Sequence, residues 1–157
     1  IAGIAGELYE KESTFSQDAL AELAVLRQLL DTILIHTNEA FRKQNLTEAR
    51  RIEPLEQVVD DMVNVLKEHH LDRLRKGECG FFNGSEFFNL LSEAERISDV
   101  CSNIGVATVA RAIPGIHHQV HDYISVLHSG RDEEFNQIYR QVHDQYFNQL
   151  QKKKSDH

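Results

Sequence analysis

Several residue types are scarce in this chain of 157 residues, which has no tryptophan, two prolines and two cysteines. The cysteines, Cys79 and Cys101, lack the Cys-x-x-Cys spacing and the number that a disulfide framework or a thiolate zinc site requires. Little proline, combined with recurring Leu, Glu, Gln, Ala and Arg, favours helices over sheets. A β-sandwich or β-barrel is therefore not expected.

Positive charge is also in short supply, because 17 Lys and Arg face 25 Asp and Glu and leave a formal net charge of −8. Nonspecific binding to nucleic acid depends on Lys and Arg, so we expect no nucleic-acid partner. No apolar run approaches the roughly 20 residues that cross a bilayer, and the first residues do not resemble a signal peptide. These absences predict a soluble, cytoplasmic domain.

Apolar residues recur at helical spacing through most of the chain. A first helix is predicted from Ser16 to Gln44, and its apolar side is expected to be Leu20, Leu23, Leu30, Leu34 and Phe41. A second is predicted to begin with a cap at Thr47-Glu48, with an apolar side of Ile52, Leu55, Val59, Met62 and Leu66. The glycine-rich stretch at 77–84 predicts a loop, after which Ser85 and Glu86 open a third helix that lasts to about Ile113.

These elements predict an all-α fold, an antiparallel helical bundle. We expect a three-helix core over residues 16–113, a C-terminal helical extension over 114–153 and a tail over 154–157. Residues 1–15 fit either a linker or a short helix. The chain begins at Ile1 rather than Met, which suggests a domain cut from a longer polypeptide.

Two pairs of carboxylates have the spacing of one helical turn: Glu56 with Asp60, and Glu95 with Asp99. Residues four apart share a helix face at about 5–6 Å, close enough to hold one hard cation together. If the second and third helices are antiparallel, the two pairs meet at a similar height on the bundle surface. The same residues fit an ordinary solvated surface, with Arg51 and Arg96 as ion-pair partners.

Histidines form a second candidate site, since His117 and His121 are also four residues apart. Imidazoles at this spacing can chelate zinc or nickel on one helical face. No HExxH arrangement occurs, so a hydrolytic zinc site is not predicted. His69 and His70 end the second helix, where the helix dipole favours an imidazolium.

The segments "IEPLEQVVDDMVNVLKEHHLDRLRKGECG" and "LLSEAERISDVCSNIG" resemble the PhoU-like family. The pattern of His70, Arg73, Leu74, Gly77 and Cys79 is similar to its branch at the cytoplasmic C-terminus of bacterial sodium/phosphate cotransporter-type proteins. The resemblance covers about 100 residues, from the first helix through the third. A complete PhoU protein contains two three-helix units, whereas this chain has room for one unit and an extension.

The resemblance implies a regulatory domain that binds metal and controls phosphate uptake without catalysis. By that resemblance Glu56, Asp60, Glu95 and Asp99 are ligands of a divalent or trivalent ion: iron, zinc, manganese or magnesium. It also implies tethering to the inner membrane, with a transporter segment of the same polypeptide or a phosphate-signalling protein as partner. A homodimer is a further possible assembly.

Two other functional classes remain open at this point. A ferritin-like bundle enzyme would need Glu-x-x-His motifs on paired helices, and their absence argues against it. A helical interaction or dimerisation module without bound metal would leave a wide apolar face after folding. Metal content and the exposed surface distinguish this module from the metal-binding domain.

Overall fold

A computed structural model of the chain describes residues 15–78, 81–112, 124–125 and 127–155. Four long helices make up most of these residues: α1, Gln17–Lys43; α2, Leu46–Arg75; α3, Phe81–Ala112; and α4, Glu133–Ser155. The described residues contain no strand, and the predicted all-α bundle is confirmed. The linker or short helix expected over 1–15 and the histidine pair at 117 and 121 lie outside the described residues, apart from Phe15.

The helices alternate in direction, and α1 and α2 each pack against all of the other three helices, α2 most extensively. Arg50 contacts Glu134 and Asp61 contacts Tyr139, so α4 follows the direction of α2. α4 packs along α2 and α1 rather than α3. It continues to Ser155, past the point at which the tail was expected to start.

Polar side chains cap the first two helices. Ser16 Oγ accepts a hydrogen bond from the backbone N–H of Ala19, as the predicted start of α1 requires. The cap of α2 is Asn45, whose Oδ1 accepts from the N–H groups of Thr47 and Glu48. The cap predicted at Thr47-Glu48 was therefore wrong: these two residues supply the donors, and the acceptor precedes them.

The apolar side predicted for α2 is confirmed, since all five of its residues are buried. The side predicted for α1 was wrong in part: Leu30 is buried and Leu23 packs against the core, but Leu20, Leu34 and Phe41 are exposed. The apolar residues on the core side of α1 are Ala19, Val25, Leu26, Leu29, Leu30, Ile33 and Ala40. Both sides of α1 carry apolar residues, so helical periodicity alone is compatible with either side as the buried one. Packing against α2 and α4 determines which side is buried.

The third helix begins at Phe81, four residues before the predicted start, so the loop after α2 is shorter than expected. Gly77 is in the left-handed region with φ +71°, where glycine is favoured, and it belongs to the turn. Gly84 is helical, and a Cβ there would lie 3.1 Å from Leu74 Cδ2. Its role is close packing of α3 on α2, which sequence alone does not distinguish from a turn.

A second glycine sets the other end of the contact between α2 and α3. A Cβ on Gly105 would lie 3.0 Å from Ile52 Cδ1 and 3.1 Å from Ile52 Cβ. The two helices therefore approach closely here, which fixes the register of the carboxylates that both carry. No helix in the described part of the chain has both the length and the apolar character needed to cross a bilayer.

Candidate metal centre

The four predicted carboxylates lie on facing sides of α2 and α3, and we call their surface the acidic groove: Glu56, Asp60, Glu95 and Asp99. The charges of Glu95 and Asp99 both act on Asp60, which shows that the pairs from the two helices come together. Asp99 is exposed and the other three are half-buried. The groove is thus at the surface, as the positions of the residues around each helix predicted.

Partial burial and mutual repulsion oppose ionisation in the acidic groove. Burial first, and then the charges of Asp60, Glu53, Asp99 and Asp61, raise the pKa of Glu56 to about 8. Burial and the charges of Asp99, Glu95 and Asp61 also raise the pKa of Asp60. Ionisation of Glu56 is therefore opposed in the absence of an added positive charge.

Lys67 supplies the ion pair that the acidic groove contains within the described residues. Its Nζ lies 2.8 Å from Glu95 Oε1, and its charge partly offsets the rise in the pKa of Asp60. Arg51 and Arg96 were the partners considered from the sequence, and Arg96 instead binds Glu93 on the outer side of α3 at 2.9 Å. Lys67 therefore neutralises one edge of the groove, and no described residue forms an ion pair with Glu56, Asp60 or Asp99.

The donor chemistry of the acidic groove suits a hard cation, because all four groups offer carboxylate oxygens. Among the described residues, however, no three Asp, Glu, His or Cys side chains converge closely enough to hold a metal ion. Binding would therefore require changes of rotamer, for which these partly exposed positions leave room. The oxygen ligands and the negative charge of the acidic groove are therefore compatible with a bound cation. This cation would compete with the Lys67 ammonium group for Glu95.

Glu53 is a carboxylate beside the groove that sequence reasoning did not identify. It is only 7% exposed, accepts a 2.6 Å hydrogen bond from Ser102 Oγ, and lies 2.8 Å from His128 Nε2. Glu53 follows Ile52 on the core side of α2, and this position could have indicated that its carboxylate is buried. No nearby residue in the sequence indicated that His128 is its partner. Glu53 joins α2, α3 and the segment before α4, and its charge adds to the repulsion on Glu56.

Asp61 faces α4 instead of the groove. Its Oδ2 accepts a 2.7 Å hydrogen bond from Tyr139, and burial and this bond raise the pKa of Tyr139 to about 12. The adjacent acids Asp60 and Asp61 therefore have different structural roles. Asp60 belongs to the acidic groove, and Asp61 stabilises the packing of α4 on α2 through its hydrogen bond with Tyr139.

A separate carboxylate, Glu22, is buried between α1 and α2 and is neutralised within the bundle. Arg73 Nη1 lies 2.8 Å from its Oε2, and His69 Nδ1 lies 2.7 Å from its Oε1. The Arg73 guanidinium also stands 5.2 Å above the ring of Phe87. Arg73 thus has a structural role in joining three helices.

His70 is enclosed beside this ion pair, with its ring stacked on Phe87 at 4.4 Å. Burial, and then the charge of Arg73, lower the pKa of His70. The imidazolium expected at this helix end is therefore disfavoured, because loss of water outweighs the helix dipole. The neutral ring acts as an aromatic core residue.

Comparison with protein families places this arrangement of helices in a known group. Residues 23–108 match the PhoU domain, and this range covers most of α1, all of α2 and most of α3 and includes the four acidic-groove positions. No curated protein and no solved structure matches the chain. The PhoU domain is a regulatory helical domain and not a known enzyme family. More than half of the chain lies within the match, and the chain belongs to the PhoU family.

Proposed function

We propose that this chain is the regulatory, metal-binding PhoU domain of a sodium/phosphate cotransporter-type protein. The observation that carries the proposal is the acidic groove, where carboxylates of two facing helices lie close enough for their charges to repel and Lys67 pairs with Glu95 alone among the described residues. A divalent or trivalent cation would supply the positive charge that these groups lack. Iron, zinc, manganese and magnesium are the candidate ions.

In this proposal the cation acts on structure and not on a reaction. Glu56 and Asp60 would hold it from α2, and Glu95 and Asp99 from α3, so that its binding links the two helices. Lys67 would release Glu95 when the cation binds. The resulting change in the α2–α3 surface would be passed to a transporter segment of the same polypeptide, or to a phosphate-signalling protein, at the cytoplasmic side of the inner membrane.

Metal content tests the proposal directly. We would purify untagged protein and measure metal by plasma mass spectrometry for the wild type, Glu56→Gln/Asp60→Asn and Glu95→Gln/Asp99→Asn. Each double substitution keeps the side-chain size and removes the carboxylates of one helix, so both should lose stoichiometric metal. Glu93→Gln is the matched control, because Glu93 lies on α3 and pairs with Arg96 outside the groove.

Negligible metal in the wild type, or equal metal in all four proteins, would contradict metal binding by the groove. The role in phosphate transport needs a second readout, which is phosphate uptake by cells that express the full-length protein. We expect the two double substitutions, and not Glu93→Gln, to alter the response of uptake to external phosphate. Unchanged uptake with loss of metal would separate metal binding from transport control.

The alternative function is a helical interaction or dimerisation module without bound metal. The observation that favours it is the set of large apolar residues exposed on α1 and α3, which include Leu34, Phe41 and Val100. This alternative predicts self-association or partner binding in protein that carries no metal.

A further inference from the structure

The end of the bundle where α2 stops and α3 begins contains buried donor groups that no described residue binds. Arg73 is 7% exposed, and its Nη1 lies 2.8 Å from Glu22 Oε2. The other two guanidinium nitrogens, Nε and Nη2, are buried and have no hydrogen-bond partner in the described part of the chain. Buried N–H groups in native proteins nearly always have a partner, so these two require an acceptor from elsewhere.

The two unpartnered nitrogens lie on one edge of the guanidinium, which we call the Arg73 fork: Nε and Nη2 of Arg73. Their N–H groups are parallel, and their spacing matches two oxygens of a single carboxylate or phosphate group. Hydrogen bonds to such an anion are stronger than those to a neutral acceptor such as water. The fork is therefore suited to an oxyanion.

Apolar rings and the start of a helix surround Arg73, and both favour an anion at the fork. The guanidinium stands 5.2 Å above the ring of Phe87, on which the buried ring of His70 also stacks. Gly84, in the first turn of α3, lies against His70, and a Cβ on it would be 3.3 Å from His70 Nε2. The first backbone N–H groups of α3, which attract anions, are therefore at the same end of the bundle as the fork.

The charges around Arg73 are arranged so that one more negative charge can be compensated. Glu22 faces one side of the guanidinium, and its other oxygen, Oε1, lies 2.7 Å from His69 Nδ1. When His69 is protonated, the row of His69, Glu22, Arg73 and a bound anion alternates in sign. Each charge then has a neighbour of opposite sign, which offsets the loss of water around it.

We propose that the Arg73 fork binds a phosphate group. Two phosphate oxygens would accept from Nε and Nη2, and the remaining oxygens would face the first N–H groups of α3. A carboxylate has no oxygens beyond the two that the fork uses, so a phosphate group fits this end of the bundle better. The site is separate from the acidic groove and needs no metal, and it therefore goes beyond the proposed function.

The test is isothermal titration calorimetry of the 157-residue chain in Tris chloride, with inorganic phosphate and, separately, glycerol phosphate as ligands. Metal is removed beforehand and its absence is checked by plasma mass spectrometry, so the result does not depend on the acidic groove. Arg73→Lys keeps a positive charge beside Glu22 but lacks the parallel N–H groups, so the affinity should fall by at least about tenfold. The matched control is Arg75→Lys, because Arg75 is exposed two positions further along α2 and should leave the affinity unchanged.

Glu22→Gln is a second variant, which separates binding from folding. Removal of the negative charge beside Arg73 should raise the affinity for phosphate several-fold, whereas a loosened fold would lower it. Circular dichroism melts of each variant show whether the bundle is intact at the temperature of the titration.

The expected result is binding by the wild type and Arg75→Lys that is weaker in Arg73→Lys and tighter in Glu22→Gln. The ligand that binds more tightly then shows whether free phosphate or a phosphate ester is the natural source. No binding of either ligand by the wild type overturns the inference. Equal affinities in Arg73→Lys and the wild type, or an equal loss in Arg75→Lys, also overturn it, because the anion then binds the exposed surface and not the fork.

Discussion

Glu22 and Glu56 are both glutamates on helices of one bundle, but the charges around them have opposite signs. Glu22 is buried against Arg73 and His69, so its charge is compensated inside the protein. Glu56 is partly buried among Asp60, Glu53, Asp99 and Asp61, and its pKa rises to about 8. A carboxylate with an internal partner stabilises the fold, whereas under the proposed function a carboxylate without one would be stabilised by a cation from the solution. The following changes test this contrast, from the largest expected effect to the smallest.

Arg73→Met should have the largest effect on stability. It leaves Glu22 charged and buried beside His69 alone, and breaking a buried ion pair in this way costs about 3 to 5 kcal/mol. Urea denaturation followed by circular dichroism gives the free energy of unfolding. The double variant Glu22→Gln/Arg73→Met should recover much of the loss, and equal stability of the single and double variants would show that the ion pair is not the cause.

Glu56→Gln should change how stability depends on pH. The pKa of Glu56 is raised from 4.5 to about 8, so between these values the folded state binds more protons than the unfolded state, and stability falls as pH rises. Glutamine removes this dependence and should stabilise the metal-free protein at pH 8 by about 1 to 2 kcal/mol, once solvent screening is allowed for. Urea denaturation at pH 5 and pH 8 measures it. Glu93→Gln should keep the slope of the wild type, and the same slope in Glu56→Gln would contradict the account.

Lys67→Met tests whether the internal cation competes with an external one. The ion pair with Glu95 is partly exposed, so its loss should change the free energy of unfolding by only about 0 to 1 kcal/mol. Affinity for manganese should rise several-fold, because Glu95 no longer has to break its ion pair with the Lys67 ammonium group before it can bind the ion. Isothermal titration calorimetry measures the affinity, and a fall in it would mean that Lys67 helps to form the site.

Arg96→Gln should have the smallest effect. Arg96 pairs with Glu93 at the surface and not with the acidic groove, so we expect a change within about 0.5 kcal/mol and no change in metal content. Thermal melts and plasma mass spectrometry check both statements. A clear gain or loss of metal would place Arg96 in the electrostatics of the groove after all.

The sequence predicted the bundle and the apolar side of α2 from helical spacing, and the meeting of the two carboxylate pairs from this spacing together with an antiparallel α2 and α3. It wrongly placed Leu20, Leu34 and Phe41 on the core side of α1, since both sides of this helix are apolar and only packing chooses between them. It also considered Arg51 and Arg96 as ion-pair partners of the groove and did not identify Lys67. Lys67 reaches Glu95 across 28 positions of sequence, and such a contact depends on how α2 and α3 pack.

The partners of buried polar groups were the least predictable part. Glu53 meets Ser102 and His128, which are 49 and 75 positions away in the chain. The protonation of His70 was misjudged for a related reason, because local sequence showed a helix end and not the rings of Phe87 and Phe88 around it.

The close contact at Gly105 gives the α2–α3 pair a fixed end. Because Ile52 lies against the bare backbone of this residue, a methyl group there would have to displace the Ile52 side chain by a few tenths of an ångström. Asp99 lies between one and two turns away along α3, so the contact at Gly105 helps to set the separation of α2 and α3 at the acidic groove. The absence of one side chain thus contributes to the spacing of carboxylates that lie on two different helices.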